Sequence, residues 1–249
     1  MRHPEVATNA RETLSSILGL AVEMGMIPVN PAGFRYQYPD PGSHPGDFYG
    51  QWLSTFDEQR RLLSYVHERF AGEAEERIVV LGLCQGLRKG EVFGLDGEDI
   101  DLGAGELSVL RSYTVGASGP ELTAPKTPAA VRVMPIGSFA LSCMRGWGLG
   151  EGPVVTDRFG KRMGPAAGSK RIRRMIERAD ADLPRVTVFS LRHSFATARV
   201  NAGMEKTQLA ALMGHRDLRT TEQYYVRQKI SDLHRAVREI DAALDLDAE

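Results

Sequence analysis

The sequence predicts an α+β fold that is mainly α-helical and carries a small antiparallel β-sheet. Three observations predict it. Apolar residues recur at helical intervals from Pro165 onward, residues 106–136 alternate in the manner of strands, and Gly and Pro punctuate the boundaries between these stretches. In chain order, Asn9 and Glu12 have the spacing of a capping box, and Leu14, Ile17, Leu18, Ala21 and Met24 form one helical stripe that stops between Gly25 and Pro28. A single helix cannot bury its own stripe, so residues 1–31 read as the remnant of a larger helical domain or as a helix that needs a partner. Pro, Gly, Asn and Asp crowd the following stretch, and residues 32–51 read as a linker.

The main domain is expected over residues 52–230. Ser54 or Thr55 can cap a helix carrying Leu62, Leu63, Val66 and Phe70, and a second helix runs over about 75–85 to Gly86. Strands are expected at 107–113 and at 131–136, the latter with Val131, Val133 and Pro135 alternating, and a short strand and turn at 154–158 before Gly160. Helices then cover 170–179, 190–200, 206–213 and 220–228. A last amphipathic helix, with Leu233, Val237, Ile240 and Leu244 on one stripe, makes residues 231–249 a tail.

Composition excludes several classes. No apolar run is long enough to span a bilayer, and the start has no signal-peptide shape, so no membrane partner is expected and the cytoplasm is the expected location. Cys84 and Cys143 fit neither a metal site nor a disulfide framework. The net charge of −1 argues mildly against nucleic acid, but it hides a segregation: Lys161, Arg162, Lys170, Arg171, Arg173 and Arg174 stand close together with few acids, whereas the tail is acidic. That stretch reads equally well as a solvated helix face or as a surface for a phosphate backbone.

Five residues have the types that metal-free phosphoryl transfer needs: a nucleophile, cations for the non-bridging oxygens, and an acid for the leaving oxygen. Arg88 lies in Gly86-Leu87-Arg88-Lys89-Gly90-Glu91, where it can fork onto a phosphate or form an ordinary surface pair with Glu91. Arg192 follows Phe189-Ser190-Leu191. If Ser190 caps that helix, Arg192 stands in its first turn, where the dipole disfavours it unless an anion sits there. His215 follows Gly214 in the turn after one helix, and Tyr224 sits on the next, after Thr220-Thr221. Their alternative roles are a capping residue and a packed aromatic. Lys126, between Pro125 and Thr127, sits in the turn between two expected strands, where most lysines are simply solvated.

Taken in order, these strings resemble the catalytic domain of the tyrosine recombinases, the phage-integrase family. The family pattern is an Arg in a Gly-Leu-Arg-x-x-Glu context, a hairpin Lys, a His-x-x-Arg pair, a Leu-Gly-His turn and a Thr-Thr-x-x-Tyr nucleophile, matched here by Arg88, Lys126, Arg192, His215 and Tyr224. Residues 8–31 resemble the last helix of that family's core-binding domain. One position departs: the family's first histidine falls at Phe189, and phenylalanine accepts no proton.

The resemblance implies site-specific recombination or integration of double-stranded DNA. Tyr224 would attack the scissile phosphate to give a 3′-phosphotyrosine, with Arg88 and Arg192 stabilising the transition state. Lys126 would protonate the departing 5′-oxygen, and His215 would bond a non-bridging oxygen. It further implies no cofactor, no metal, no small-molecule substrate, and a homo-tetramer on DNA in which residues 231–249 dock on a neighbour. The rivals are a catalytically impaired DNA-binding relic, a type IB topoisomerase, and a helix-turn-helix regulator built on residues 207–225. The last leaves Arg88 and Lys126 without a role.

Overall fold

A computed structural model describes residues 4–33, 52–116, 119–124, 130–179, 183 and 185–215. The chain divides into two units, Met1–Tyr49 and Gly50–Glu249. In the first, α1 spans Pro4–Glu23. Proline is favoured in a helix's first turn, where its missing N–H costs nothing, and the helix therefore begins upstream of the expected cap: Asn9 and Glu12 stand inside it. The helix closes at Gly25, whose φ of 70° is the left-handed conformation glycine adopts without a Cβ penalty. Arg11 donates Nε–H and Nη2–H to the Ala32 carbonyl, and Asn30 donates Nδ2–H to the Ser15 carbonyl, strapping the 3-10 turn Pro31–Gly33 to the helix. Leu14, Ile17 and Met24 remain exposed, whereas Leu18 and Ala21 are half-buried.

The second unit opens with α2 (Phe56–Phe70), α3 (Ala74–Leu83) and α4 (Lys89–Gly94). Thr55 caps α2 through the reciprocal box with Glu58, so of the two expected caps Thr55 is the one used. Gly86 makes the bend from α3 to α4 at φ 63°. A Cβ there would meet the Phe195 ring at 2.5 Å, so the site has room only for glycine.

The strands are β1 (Ile100–Asp101), β2 (Glu106–Val109), β3 (Ser112–Gly116), β4 (Gly119–Thr123) and β5 (Arg132–Pro135). They form an antiparallel three-stranded sheet in the order β1-β2-β5 and a separate β3-β4 hairpin. The single strand expected at 107–113 is thus two strands in different sheets. The break falls at Leu110 and Arg111, where Arg111 turns its guanidinium to the carboxylates of Asp96 and Asp99. The alternation expected at 131–136 is present in β5. Val131 and Val133 are exposed, while Met134 and Ile136 enter the core with Arg132 in register beside them.

Residues 154–158 lead into a turn closed by the Thr156–Arg162 bridge, with Gly160 at φ 76°. The short helix α5 (Ser138–Arg145) was not expected from the sequence. Then come α6 (Pro165–Arg178), which starts at its proline well before residue 170, α7 (Val188–Asn201) and α8 (Lys206–Met213). Most of α3 is buried, and Ile78, Leu81, Leu83, Phe93, Leu107, Met144, Ile172 and Leu191 are the fully enclosed centre of the unit. The expected helices at 220–228 and 231–249, and most of the linker, lie outside the described residues. Among the described residues no helix is long and apolar enough to cross a membrane.

Candidate active site

The site is assembled around one buried carboxylate. Glu91, on the first turn of α4, has a side chain only 4% exposed, yet three guanidinium groups lie around it. Its Oε1 accepts Arg88 Nη1–H at 2.8 Å and Arg132 Nη1–H at 3.2 Å. Its Oε2 accepts the Arg88 backbone N–H at 2.8 Å and Arg132 Nη2–H at 3.0 Å, with Arg192 Nη1 at 3.9 Å. Burial alone would raise the Glu91 pKa. The Arg132 hydrogen bonds and charge, then the Arg88 N–H and the Arg192 charge, outweigh it and hold the carboxyl below its ordinary value. The expected Arg88–Glu91 pair is present, but its carboxylate is buried while Arg88 stays 39% exposed, so the pair orients the guanidinium from within.

The second anchor is the C-terminus of α8. A helix leaves its last carbonyls without intrahelical partners, and here three successive ones are met by three arginines. Leu212 O accepts Arg132 Nε–H at 2.8 Å, Met213 O accepts Arg192 Nη2–H at 2.7 Å, and Gly214 O accepts Arg88 Nη2–H at 2.9 Å. Gly214 adopts φ 62° and ψ 45°, which turns the chain sharply enough to present those oxygens together. Cations at a helix C-terminus are also favoured by the dipole.

Thr187, not Ser190, caps α7: Thr187 Oγ1 accepts the Ser190 N–H at 3.1 Å and Ser190 Oγ accepts the Thr187 N–H at 2.7 Å. Arg192 is therefore the fifth residue of α7, in its second turn. The dipole it meets most directly is the favourable one of α8. Its Nη1–H also reaches the Gly86 carbonyl at 2.6 Å, joining the α3–α4 bend to α7.

His215 lies immediately beyond the turn, its Nε2 at 3.0 Å from Arg192 Nη2. A guanidinium can only donate, so Nε2 is the acceptor and the proton of the neutral ring resides on Nδ1. Burial first, then the charges of Arg192, Arg88 and Arg132, push the ring down to about 4, against the opposing pull of Glu91. His215 is a neutral imidazole at physiological pH.

A pH prediction follows from these two groups. Both have folded-state pKa values below their unfolded ones, so their contribution is full above the ordinary histidine value, about 6.5, and declines as pH falls. The decline through His215 runs from about 6.5 toward 4, and that through Glu91 begins below its ordinary value. Thermal melts from pH 7.5 to 4 should show His215→Asn losing less stability than wild type over the upper part of that range. Parallel curves for the two proteins would contradict it.

Lys126 and Tyr224 lie outside the described residues, so the structure brings together three of the five residues singled out from the sequence. The residue that sequence reading missed is Arg132. Its signal was available, because it stands in period-two register with Met134 and Ile136 on the inward face of β5.

Of the six basic residues at 161–174, two are committed to carboxylates. Arg162 donates to Asp96 and to the Phe93 carbonyl, and Arg171 pairs with Glu75 at 2.8 Å. Lys161, Lys170, Arg173 and Arg174 are exposed, and Arg173 stands 3.7 Å from Glu177. Lys170 and Arg173 also line a cleft of about 700 Å³ with Arg185 and Thr187, the cap of the helix that carries Arg192.

Phe189, at the second position of α7, is 61% exposed, so it does not pack into the core. His193 packs edge-on against Trp52, with ring centroids 4.6 Å apart. Elsewhere, Cys143 Sγ, His67 Nδ1 and a Glu76 oxygen lie within 4.8 Å of one another. Glu76 already accepts hydrogen bonds from the Gly72 N–H and the Trp147 indole N–H. Burial, then the Glu76 charge, pushes the Cys143 thiol up to about 12. This group is a hydrogen-bonded tie between α2, α3 and α5, and not a ready thiolate centre for a metal.

Known proteins carry the same arrangement of elements. A fragment of the Tn1549 transposon integrase, in complex with a circular intermediate DNA, superposes with a TM-score of 0.75 at 20% identity, covering 95% of this chain and 79% of that one. The XerA recombinase superposes at 0.59 with 19% identity, covering 86% and 70%. Among curated proteins, the chain is 28% identical over 184 residues to tyrosine recombinase XerC of Natranaerobius thermophilus, covering 68% of this chain and 56% of the relative. It is 31% identical over 166 residues to that of Pseudomonas putida strain W619, covering 64% and 50%. The chain thus spans about half the length of the curated relatives it matches. The model of the Phage integrase family matches residues 53–231, the greater part of the chain and all four residues of the arginine–histidine cluster described above, and the chain belongs to that family.

Proposed function

We propose that this chain cleaves and rejoins double-stranded DNA as a site-specific tyrosine recombinase. The observation that carries the reading is the convergence of Arg88, Arg192 and neutral His215 on the α8 C-terminal turn, with Glu91 fixing the arginines from behind. Arg88 is 39% exposed and so retains access to a ligand while it is held at Glu91 and Gly214. Two preorganised guanidiniums suit the developing charge of a pentavalent phosphorane, and they need no metal to do it. Tyr224 Oη forms the new bond to phosphorus, the bond to the 5′-oxygen breaks, and Lys126 supplies the proton that the 5′-oxygen takes. The tyrosine proton leaves to solvent, because Phe189 offers no acceptor. Rejoining is the reverse, and energy is conserved in the phosphotyrosine link.

The DNA backbone runs along the exposed bases of α6, chiefly Lys170, Arg173 and Arg174, with Lys161 beside them; Arg162 and Arg171 hold that helix's surroundings in place. Four protomers act together on DNA, joined through residues 231–249. The helix-turn-helix rival is less well supported, since the carbonyl end of α8 is spent on the arginine cluster. The test is a nicked duplex drawn from a random-sequence pool, which traps a cleaving enzyme as a covalent adduct. Adduct formation by the wild-type chain is expected; DNA binding without any adduct would favour an impaired relic.

Phe189 sets the pace in this reading. General-base assistance contributes about 10²–10⁴ in rate, and an exposed histidine titrates near 6.5. Phe189→His is therefore expected to speed single-turnover adduct formation near neutral pH by about 10²-fold and to flatten its rise between pH 6 and 9. A folded variant that is no faster at any pH would show that the departure from the family pattern is structural.

A further inference from the structure

We propose that Arg132 is a positioning residue of the cleavage site, locking the α8 turn to the Arg88–Glu91 pair; the inference rests on the DNA-cleaving reading above. Arg132 is the most enclosed of the three arginines, its side chain 7% exposed against 12% for Arg192 and 39% for Arg88. It is too enclosed to take a DNA phosphate in a fork, and four of its five N–H donors are already engaged. Two parallel bonds grip the two Glu91 oxygens, Nε–H grips Leu212 O, and a further bond reaches Ala130 O at 3.0 Å.

The geometry shows what these bonds accomplish. Glu91 orients Arg88 through both its backbone N–H and its guanidinium. The α8 turn orients His215 and takes one bond from each arginine. Arg132 touches both bodies from a third, the edge of the three-stranded sheet, where its partner in register is Val109. A planar guanidinium on a strand can hold a carboxylate and a carbonyl in one fixed relation. An ammonium on a flexible stem can hold either, but not both in that plane. Losing Arg132 leaves Arg88 and His215 in place chemically and frees their spacing, and a misplacement of about 1 Å costs about 10²-fold in rate.

Arg132→Lys keeps the charge and most of the volume, so it separates positioning from folding. At saturating nicked duplex, its single-turnover adduct formation is expected to fall about 10²-fold while its Kd for the duplex stays within about twofold. Hydrogen exchange at the amides of 213–215 should quicken while the melting transition remains cooperative. Arg132→Ala, with more lost, should be slower again. An Arg132→Lys protein that forms adduct at the wild-type rate overturns the inference. So does a rate loss matched by an equal loss in affinity, which marks a phosphate contact or a damaged fold. A wild-type chain that forms no adduct on any duplex overturns the cleavage reading itself and Arg132's role with it. An unaffected variant beside an active wild type overturns Arg132 alone.

Discussion

Tyr224→Phe is expected to abolish covalent attachment to DNA and leave DNA affinity nearly unchanged. The substitution removes one oxygen, and that oxygen is the proposed nucleophile. No other change in the chain should produce so complete a loss with so little effect on binding or stability. The neighbouring Tyr225→Phe is the control, because it makes the same chemical change one residue along and should do far less. The family spacing from Thr220-Thr221 selects Tyr224. The assay is a gel shift resistant to denaturant after incubation with a nicked duplex. Loss of the adduct in Tyr225→Phe, with Tyr224→Phe active, would move the nucleophile by one position.

The second large effect is expected at the two arginines that line the site. Removing one preorganised donor to a developing oxyanion costs about 10²–10³ in rate. Arg88→Ala and Arg192→Ala should each slow single-turnover cleavage by about that factor, and the two should differ in stability. Arg88 is the more exposed, and its loss leaves Glu91 with Arg132. Arg192 holds the Gly86 and Met213 carbonyls at 2.6 and 2.7 Å, so its removal leaves two largely enclosed acceptors without that donor. An unmet buried acceptor costs about 1–3 kcal/mol, and Arg192→Ala should therefore melt at the lower temperature. Arg192→Lys retains a cation at the same place and separates the two effects. Equal losses in rate and DNA affinity would mark the arginines as ordinary phosphate contacts.

The larger helices of the second unit could be read from periodicity and caps, because those signals are local. Thr55 with Glu58, the Gly86 bend and the stop at Gly214 all depend on residues within a few positions of each other. The same locality explains the errors. Thr187 and Ser190 are both competent caps, and only the reciprocal bonds in the folded chain choose between them. The strand written through 107–113 breaks because Arg111 is drawn to Asp96 and Asp99, twelve and more residues upstream in the chain. The inward face of β5 could not be read from apolar residues alone, because an arginine takes an inward place beside Met134 and Ile136.

What the sequence determined by itself was the class of fold and the family, and it proposes the reacting groups, since a tyrosine, two arginines and a histidine stand in fixed contexts along the chain. What only the tertiary structure decided was how Arg88, Arg192 and His215 are held. Glu91 lies 41 residues from Arg132 in the chain, and Arg88 lies 126 from Gly214, yet each pair is joined by a hydrogen bond. No local pattern encodes such contacts. They arise because three carbonyls at a helix end require hydrogen-bond donors and one buried carboxylate requires counter-charge, and folding brings the same three arginines to both.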